Sequence, residues 1–387
     1  MANIYLDHSA TTPVLPEVAK AMAPYWSTEF GNPSSPHALG ARAEKMLRRC
    51  RQLCGKLLQD TTAQIVYTSG GTEANNLALQ GFARIQDQPG HMIITAVEHA
   101  SVKETAAYLE ALGWRVTVLP VDGQGRLTVG ALEASLTSET RLVSIMWVNN
   151  ELGTVNPIRE IAATIQAFNA AHRSKVRLHV DAVQAVGRIA VHLNDLAIDM
   201  ASFSGHKIGG PKGIGMLWLR QGMTVAPLQF GGSQELGLRP GTENLPGIVG
   251  LSKALQLAVQ RQPNTEAELG QLKDQLWQGL QKIPGIHRTT PQDGAPHILH
   301  VCIPGVRGEV MVQALASKGV SVSTGSACST KLSHSHVLDA IGVAQDLAAG
   351  ALRFSLGPGL SPAVMDQAAK ICIDAAAEVR PAYEGKE

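Results

Sequence analysis

The sequence of 387 residues contains few cysteines and almost no net charge. Five cysteines, an odd and low number, do not suit a disulfide framework, so we expect a reducing compartment, by default the cytosol. A net charge of +1 offers no electrostatic basis for binding nucleic acid or an anionic membrane. No apolar run approaches the roughly 20 residues that cross a bilayer, and MANIYLDHSATTP does not suit a secretory signal. These absences exclude several classes of protein without naming one.

What is present is a repeated alternation of apolar and amphipathic segments from Gln64 onward. Runs such as QIVYTS, HMIITAV and VRLHVDAV are apolar throughout, which is typical of strands buried on both faces. Their alternation with helical segments predicts an α/β fold with a mainly parallel sheet. The length suits two domains, which we assign as a large α/β domain, 15–258, and a small α+β domain, 1–14 and 259–387. Two helices are expected on either side of a break at Gln262-Pro263-Asn264.

Lys207 lies in SGHKIGGPKGIG, between two apolar segments that read as strands. Burial disfavours the charged form of a lysine, and a neutral amine can form a Schiff base with pyridoxal phosphate (PLP). Taken alone, such a lysine is more often a surface residue in a loop before a strand. Other groups that PLP requires are therefore needed to support the assignment.

A glycine turn and a strand-end carboxylate are two such groups. In TSGGTEANN, Gly71 and Thr72 begin a helix where backbone N–H groups bind phosphate, although a plain turn with a threonine cap is the alternative. The nucleotide P-loop is excluded because its Lys-Ser/Thr pair is missing. Asp181 ends an apolar strand and could face the pyridine nitrogen, with Gln184 near the ring oxygen. An aspartate that caps a helix is the competing interpretation of this position.

Three further polar residues follow or interrupt apolar segments. His99 could lie on a cofactor ring or move protons, and a helix-capping histidine is the alternative. Asn150 could bind the cofactor or a substrate carboxylate, unless it only forms a turn. Arg353, in LRFSL, is a lone cation among apolar residues; its fork suits a carboxylate, and a buried structural ion pair is the competing account.

Cys328 is the one cysteine in a small, polar segment, STGSACST, where an accessible thiolate can act as a nucleophile. Cys302 and Cys372 lie in apolar patterns typical of buried, inert thiols. A metal site of Cys328 with His206, His334 and His336 is disfavoured, because the last two histidines are expected in a solvated loop. We therefore predict no metal.

Taken together and in this order, these motifs resemble the cysteine desulfurases, which have the aspartate aminotransferase-like fold (fold type I) of PLP enzymes. The resemblance covers almost the whole chain, and SGHKIGGPKGIG and STGSACST are its most specific motifs. The second motif resembles the group I (NifS/IscS-like) branch.

The resemblance implies a role for each matching residue. Lys207 would be the lysine bonded to PLP, Asp181 the partner of its pyridine nitrogen, and Gln184 a donor to its ring hydroxyl. His99 would stack on the ring and assist proton transfer. The remaining cofactor-binding residues it implies are Gly71, Thr72, Asn150, Ser204 and His206, with Thr242 contributed by the second subunit of a homodimer.

The reaction implied is conversion of L-cysteine to L-alanine, with sulfur passed to Cys328 as a persulfide. Asn150 and Arg353 would bind the substrate carboxylate, and a sulfur-acceptor protein would follow, for iron–sulfur clusters or other sulfur-containing cofactors. Two departures leave that acceptor open: the chain stops soon after its last helix, and KLSHSH follows Cys328. A PLP β-lyase that releases pyruvate and a non-catalytic sulfur-transfer protein are the alternatives.

Overall fold

A seven-stranded sheet lies at the centre of the computed structural model, which describes residues 3–325 and 335–384. Its strands are buried along nearly their whole length, as their composition predicts, except for the edge strand Arg115–Leu119, in which only Leu119 is buried. After β1 (Ile4–Tyr5), the strands of this sheet are β2 (Gln64–Thr68), β3 (His91–Thr95), β4 (Arg115–Leu119), β5 (Thr140–Met146), β6 (Arg177–Asp181), β7 (Met200–Ser204) and β8 (Gly215–Leu219).

The order of strands across this sheet is β2-β8-β7-β6-β5-β3-β4. The pairs from β7 through β4 are all parallel, whereas β8 runs antiparallel to both of its neighbours. The prediction of a mainly parallel sheet is therefore confirmed. Because parallel strands end at the same edge, β3, β5, β6 and β7 deliver the segments that follow them to one side of the sheet.

Helices cover both faces of this sheet. One hydrophobic cluster includes apolar residues of α3 (Ala38–Leu57), α7 (Ile158–His172) and α8 (Leu245–Leu280), and another, on the opposite face, includes those of α4 (Gly71–Arg84) and α5 (Ala100–Ala111). None of the described helices has the length and apolar character of a membrane span. The helices are α1 (Pro16–Met22), α2 (Pro24–Ser27), α3 (Ala38–Leu57), α4 (Gly71–Arg84), α5 (Ala100–Ala111), α6 (Val129–Ser135), α7 (Ile158–His172), α8 (Leu245–Leu280), α9 (Gly308–Ser317), α10 (His336–Ala340), α11 (Gln345–Ala348) and α12 (Pro362–Glu384).

The last third of the chain builds two small sheets with a hydrophobic cluster of their own. An antiparallel sheet has the order β12 (Ala351–Ser355), β10 (Ile298–Cys302), β9 (His287–Arg288), and β11 (Val320–Ser321) pairs in parallel with β1 from the N-terminus. A bridge between Asp7 and Ser355 continues this connection, so the first residues of the chain lie against β12. The strands are β9 (His287–Arg288), β10 (Ile298–Cys302), β11 (Val320–Ser321) and β12 (Ala351–Ser355).

The expected break at Gln262-Pro263-Asn264 is wrong, because α8 runs without interruption through Pro263. A proline inside a helix lacks one N–H and displaces the carbonyl four residues earlier, at a cost of ~3 kcal/mol. Here Pro263 is exposed, so water can satisfy the released carbonyl. The two halves of α8 bury their leucines in different clusters, Leu251 and Leu255 in one and Leu272 and Leu276 in the other. This packing offsets the cost of placing Pro263 inside the helix. The local sequence pattern could not predict it, because the packing partners lie elsewhere in the chain.

Replacing Pro263 with alanine should stabilise the protein, because the variant restores a hydrogen bond in the middle of α8. We expect about 1–3 kcal/mol, seen as a rise of a few degrees in the melting temperature. Pro362→Ala is the control: Pro362 is the first residue of α12, where proline costs nothing, so its loss should not stabilise. An unchanged or lower melting temperature for Pro263→Ala would contradict this account of α8.

Candidate active site

Lys207 lies in a short 3-10 turn, Gly205–Lys207, directly after β7. Its Nζ donates to the carbonyl oxygens of Ser9 at 2.5 Å and Ala10 at 2.9 Å. The side-chain amide of Gln184 donates to the same Ser9 oxygen at 3.0 Å. The side chain of Lys207 therefore points inward, onto the segment after β1, and Gln184 meets it there. The surface-lysine alternative does not describe this geometry.

Asp181, the last residue of β6, is buried and accepts two N–H donors. Its Oδ1 accepts from the backbone of Val183 at 3.0 Å, and its Oδ2 from Nδ2 of Asn75 at 2.7 Å. Asn75 Nδ2 also lies 2.8 Å from the Ser101 hydroxyl. Asn75 lies on the inward face of α4 and is buried. It is a site residue that the sequence analysis missed, and its position one turn into α4 was the available signal.

His99 is the N-cap of α5 and is held by Ser101. Its Nδ1 accepts from the Ser101 backbone at 3.1 Å and lies 2.8 Å from the Ser101 hydroxyl. An accepting Nδ1 leaves the proton of the neutral ring on Nε2. Burial lowers the pKa of His99, with Lys207 acting in the same direction and Asp181 opposing it. The capping alternative is thus present in the structure, and the same ring interacts electrostatically with both Asp181 and Lys207.

The predicted phosphate-binding turn lies beside the end of β7. A Cβ added to Gly71 would come within 2.8 Å of Val183 Cγ2 and 3.6 Å of Ser204 Cβ, so only glycine fits this approach. Ser204 is buried, whereas Thr72 is exposed at the first turn of α4. Gly71, Thr72 and Ser204 are therefore brought together, while Thr242 is exposed on the segment before α8.

His206 is half-buried between the Lys207 turn and the segment after β1. Its Nδ1 lies 3.1 Å from the Thr11 hydroxyl. Burial, together with Lys207 and Lys212, lowers the pKa of His206 to about 4. The ring is therefore neutral at physiological pH and can interact with a phosphate as a hydrogen-bonding group.

Arg353, in the middle of β12, is brought to this site from the small sheets. Its guanidinium donates to Asp7 Oδ1 at 2.9 Å, to the carbonyl of Asn150 at 2.8 Å and to that of Gly325 at 3.3 Å. Its buried Nε has no partner among the described residues. The ion-pair account is thus present in the structure, with one donor remaining.

The residues on either side of 326–334 are hydrogen-bonded to two buried side chains, those of Arg353 and Glu151. Cys328 and His334 lie outside the described residues, but Gly325 accepts from Arg353, and Ser335 donates to Glu151 Oε2 at 2.5 Å. His336 begins α10 half-buried, with Nε2 3.2 Å from the Glu98 carbonyl. The expectation of a solvated His336 is therefore wrong, because it packs against the segment that precedes His99.

Glu98 is fully buried next to His99. Its Oε1 accepts from the Thr95 hydroxyl at 2.7 Å and from the backbone of Met146 at 3.0 Å, whereas its Oε2 has no partner among the described residues. Burial raises the pKa of Glu98 to about 8, and Asp181 adds to the effect. The side chain is therefore largely a neutral acid at pH 7, which keeps a second buried negative charge away from Asp181.

Comparison with known proteins agrees with this arrangement. The aminotransferase class-V family model matches residues 4–362. A relative from Methanosarcina thermophila, named cysteine desulfurase IscS, is 42% identical over 92% of this chain and 87% of its own length. The chain belongs to the cysteine desulfurases of the class-V aminotransferase family.

Solved structures support the same family and fold. A NifS-like protein is 35% identical, with a TM-score of 0.91 over 97% of this chain and all of its own. The structure titled SspA in complex with cysteine is 34% identical, with a TM-score of 0.80 over 92% of this chain and 99% of its own. The predicted fold type I, the PLP dependence and the cysteine desulfurase class are confirmed by these relatives.

The neutral state of Glu98 predicts a pH dependence of the stability of this desulfurase. The folded chain keeps the proton up to about pH 8, whereas a free carboxyl loses it near 4.5. Between these values the folded state binds more protons than the unfolded state, so stability falls as pH rises. Glu98→Gln, which mimics the protonated acid, should remove part of this fall, on the order of 1–3 kcal/mol between pH 5 and 8.

The measurement is the melting temperature of wild type and variant at each pH, with Glu110→Gln on the exposed face of α5 as the control. The control should follow the wild type. Parallel curves for Glu98→Gln and the wild type would show that Glu98 is ionised in the fold.

Proposed function

We propose that this desulfurase converts L-cysteine to L-alanine and transfers the sulfur to Cys328 as a persulfide. The observation that carries the proposal is the meeting of Lys207, Asp181 and His99 at one sheet edge, with Arg353 brought in from β12. The persulfide sulfur would serve iron–sulfur clusters or another sulfur-containing cofactor, through an acceptor protein that the chain does not identify.

The residues present fit PLP. The close approach at Gly71 forms a cradle at the N-terminus of α4, where backbone N–H groups favour a phosphate. Asn75 Oδ1 is buried without a partner among the described residues, and Asp181 lies against Nδ2 of the same amide. Asp181 would face the pyridine nitrogen, Gln184 the ring hydroxyl and His99 the ring, with Gly71, Thr72, Asn150, Ser204 and His206 holding the remainder. When bound, PLP withdraws electrons from the substrate Cα.

Lys207 is the residue we assign to proton transfer at the substrate Cα. Its Nζ donates to two backbone carbonyls, those of Ser9 and Ala10, which fix its position. Nζ in its neutral form would take the Cα proton. Nε2–H of His99 would assist, because Ser101 fixes the tautomer through Nδ1.

The substrate carboxylate would bind to Arg353 and Asn150. Asp7, partly exposed, is the carboxylate now paired with the Arg353 guanidinium, and a substrate carboxylate would pair with the same guanidinium. The neighbouring structure titled as a complex with cysteine supports this class of ligand.

We assign Cys328 as the sulfur acceptor, because the other four cysteines are poorly suited to the role. Cys50, Cys54, Cys302 and Cys372 are buried, and burial raises the pKa of Cys50 to about 11 and those of Cys302 and Cys372 to about 12. Such thiols are poor nucleophiles. The thiolate of Cys328 would attack the substrate sulfur: an S–S bond forms, the Cβ–S bond breaks, and its electron pair stays on Cβ, which becomes the methyl group of alanine after protonation.

We further propose a homodimer in which Thr242 of one subunit completes the phosphate site of the other. Thr242 is exposed in the single chain, and Phe230, nearby in the sequence, exposes 88% of its surface.

Separate hydrophobic clusters support the proposed domains, 15–258 and 1–14 with 259–387, which meet within α8. The low cysteine content supports a cytosolic location.

Replacing Lys207 with alanine should abolish covalent attachment of PLP, because no other amine is held at this position. The wild type reduced with borohydride should retain PLP absorbance after denaturation, whereas Lys207→Ala should lose it. Lys212→Ala, five residues on and exposed, is the control and should behave like the wild type. An unchanged covalent adduct in Lys207→Ala would refute the assignment.

Replacing Cys328 with serine should leave cysteine binding intact but remove persulfide and alanine formation. The test incubates each protein with L-cysteine and quantifies alanine, pyruvate and protein persulfide together. Cys50→Ala, which removes a buried thiol, should keep wild-type products. Normal alanine from Cys328→Ser would show that another group accepts the sulfur, and pyruvate in place of alanine from the wild type would indicate a β-lyase.

A further inference from the structure

Arg188 lies in a tight turn that follows β6 and packs against α8. Gly187 in this turn has a φ of +75°, and a Cβ on it would come within 2.8 Å of Ala258 Cβ. The turn is closed by a bridge between Val186 and Ile189. This close packing places the Arg188 side chain in the interior, where it exposes 7% of its surface.

The guanidinium of Arg188 makes no hydrogen bond or ion pair with any described residue. Two other arginines differ in this respect: the buried Arg353 is paired with Asp7, and the half-buried Arg51 is paired with Glu235 at 3.0 Å. An isolated buried charge is costly, and it persists when an anion compensates it. Because none of the Arg188 nitrogens is among the fully buried atoms without a partner, they reach the space beside the side chain, where a ligand can meet them.

Arg188 faces a cavity of about 80 Å³, room for roughly two or three water molecules. None of the described residues that line it is an aspartate or a glutamate. Arg261, at its wall, is already paired with Glu17 at 2.8 Å. His8 also lines it; burial and Arg188 lower the pKa of His8 to about 4, so this ring adds no charge at neutral pH. The cavity is therefore small, and the charged side chains on its wall are positive.

We propose that this cavity binds one carboxylate group on Arg188. The planar guanidinium fork accommodates a carboxylate through two parallel hydrogen bonds, and the volume limits the ligand to a group the size of formate or acetate. The carboxylate belongs either to a small free acid or to an aspartate or glutamate of a second copy of the chain. This site is separate from Arg353, and the inference does not depend on the proposed reaction.

The wall of the cavity is also the support of the Lys207 turn. Thr12 lines the cavity, donates through its hydroxyl to the His206 carbonyl at 2.7 Å, and accepts from the Gly209 backbone at 2.8 Å. Gly209 is itself a lining residue, two positions after Lys207. A bound carboxylate would therefore stabilise the backbone on both sides of that lysine.

The test measures the melting temperature of the holoenzyme in sodium formate, against sodium MES of equal ionic strength, whose anion is too large for the cavity. Wild type should gain about 1–3 °C in formate, and Arg188→Met should gain nothing. Arg188→Lys keeps the charge without the fork and should gain less than the wild type. Arg49→Met, which removes an exposed arginine of α3, is the control and should respond to formate as the wild type does.

Sedimentation velocity over a range of protein concentrations distinguishes the two sources of the carboxylate. A formate response that requires Arg188 supports a free acid. No formate response, with self-association weakened at least tenfold in both Arg188→Met and Arg188→Lys but not in Arg49→Met, supports a side chain of a second copy. Equal formate responses in the wild type and the Arg188 variants, or no response with unchanged self-association, would overturn the proposal.

Discussion

The Arg353 guanidinium joins the parts of the chain on which the site depends. It contacts Asp7 from the N-terminal segment, the Asn150 carbonyl after β5, and Gly325 at the edge of the Cys328 segment. A buried guanidinium is stable only when such acceptors surround it, so the charge of one residue requires three distant segments to meet. Removing one of these acceptors would leave the Arg353 charge buried and uncompensated. The cluster therefore fixes the relative positions of the three segments.

Around this cluster, burial keeps most titratable groups neutral or paired. Burial lowers the pKa of His179, beneath the site in β6, to about 3, and its ring bonds to Ser144 and Ser202. Glu98 stays protonated, and Asp181 is held by two N–H donors. The charges that remain are few and lie where chemistry is proposed. Arg188 is the exception, because it is buried and charged without a described acceptor.

The elements of the large sheet could be predicted from the sequence because they follow local rules. Apolar segments of β5 and β6 read as buried strands, and they are. The same rules failed at Pro263, where local chemistry indicated a break and tertiary packing carried the helix through. They also could not place Asn75 or Glu151, since an amide or carboxylate on an ordinary helix or turn shows no pattern of its own. Both acquire their roles from partners 106 and 184 residues away.

Motif order and apolar periodicity are local features of the chain, so the family, the mainly parallel sheet and the groups that PLP chemistry needs could be inferred from the sequence. Which of these groups meet depends on the folded chain. The tertiary structure turned Lys207 onto the Ser9 and Ala10 carbonyls, brought His99 into the electrostatic field of Asp181 and Lys207, and placed Ser335 on Glu151. These contacts depend on desolvation and on pairs far apart in sequence, and neither is encoded in the spacing of neighbouring residues. The same is true of Arg188, whose unmatched charge is visible only when the space around it is known.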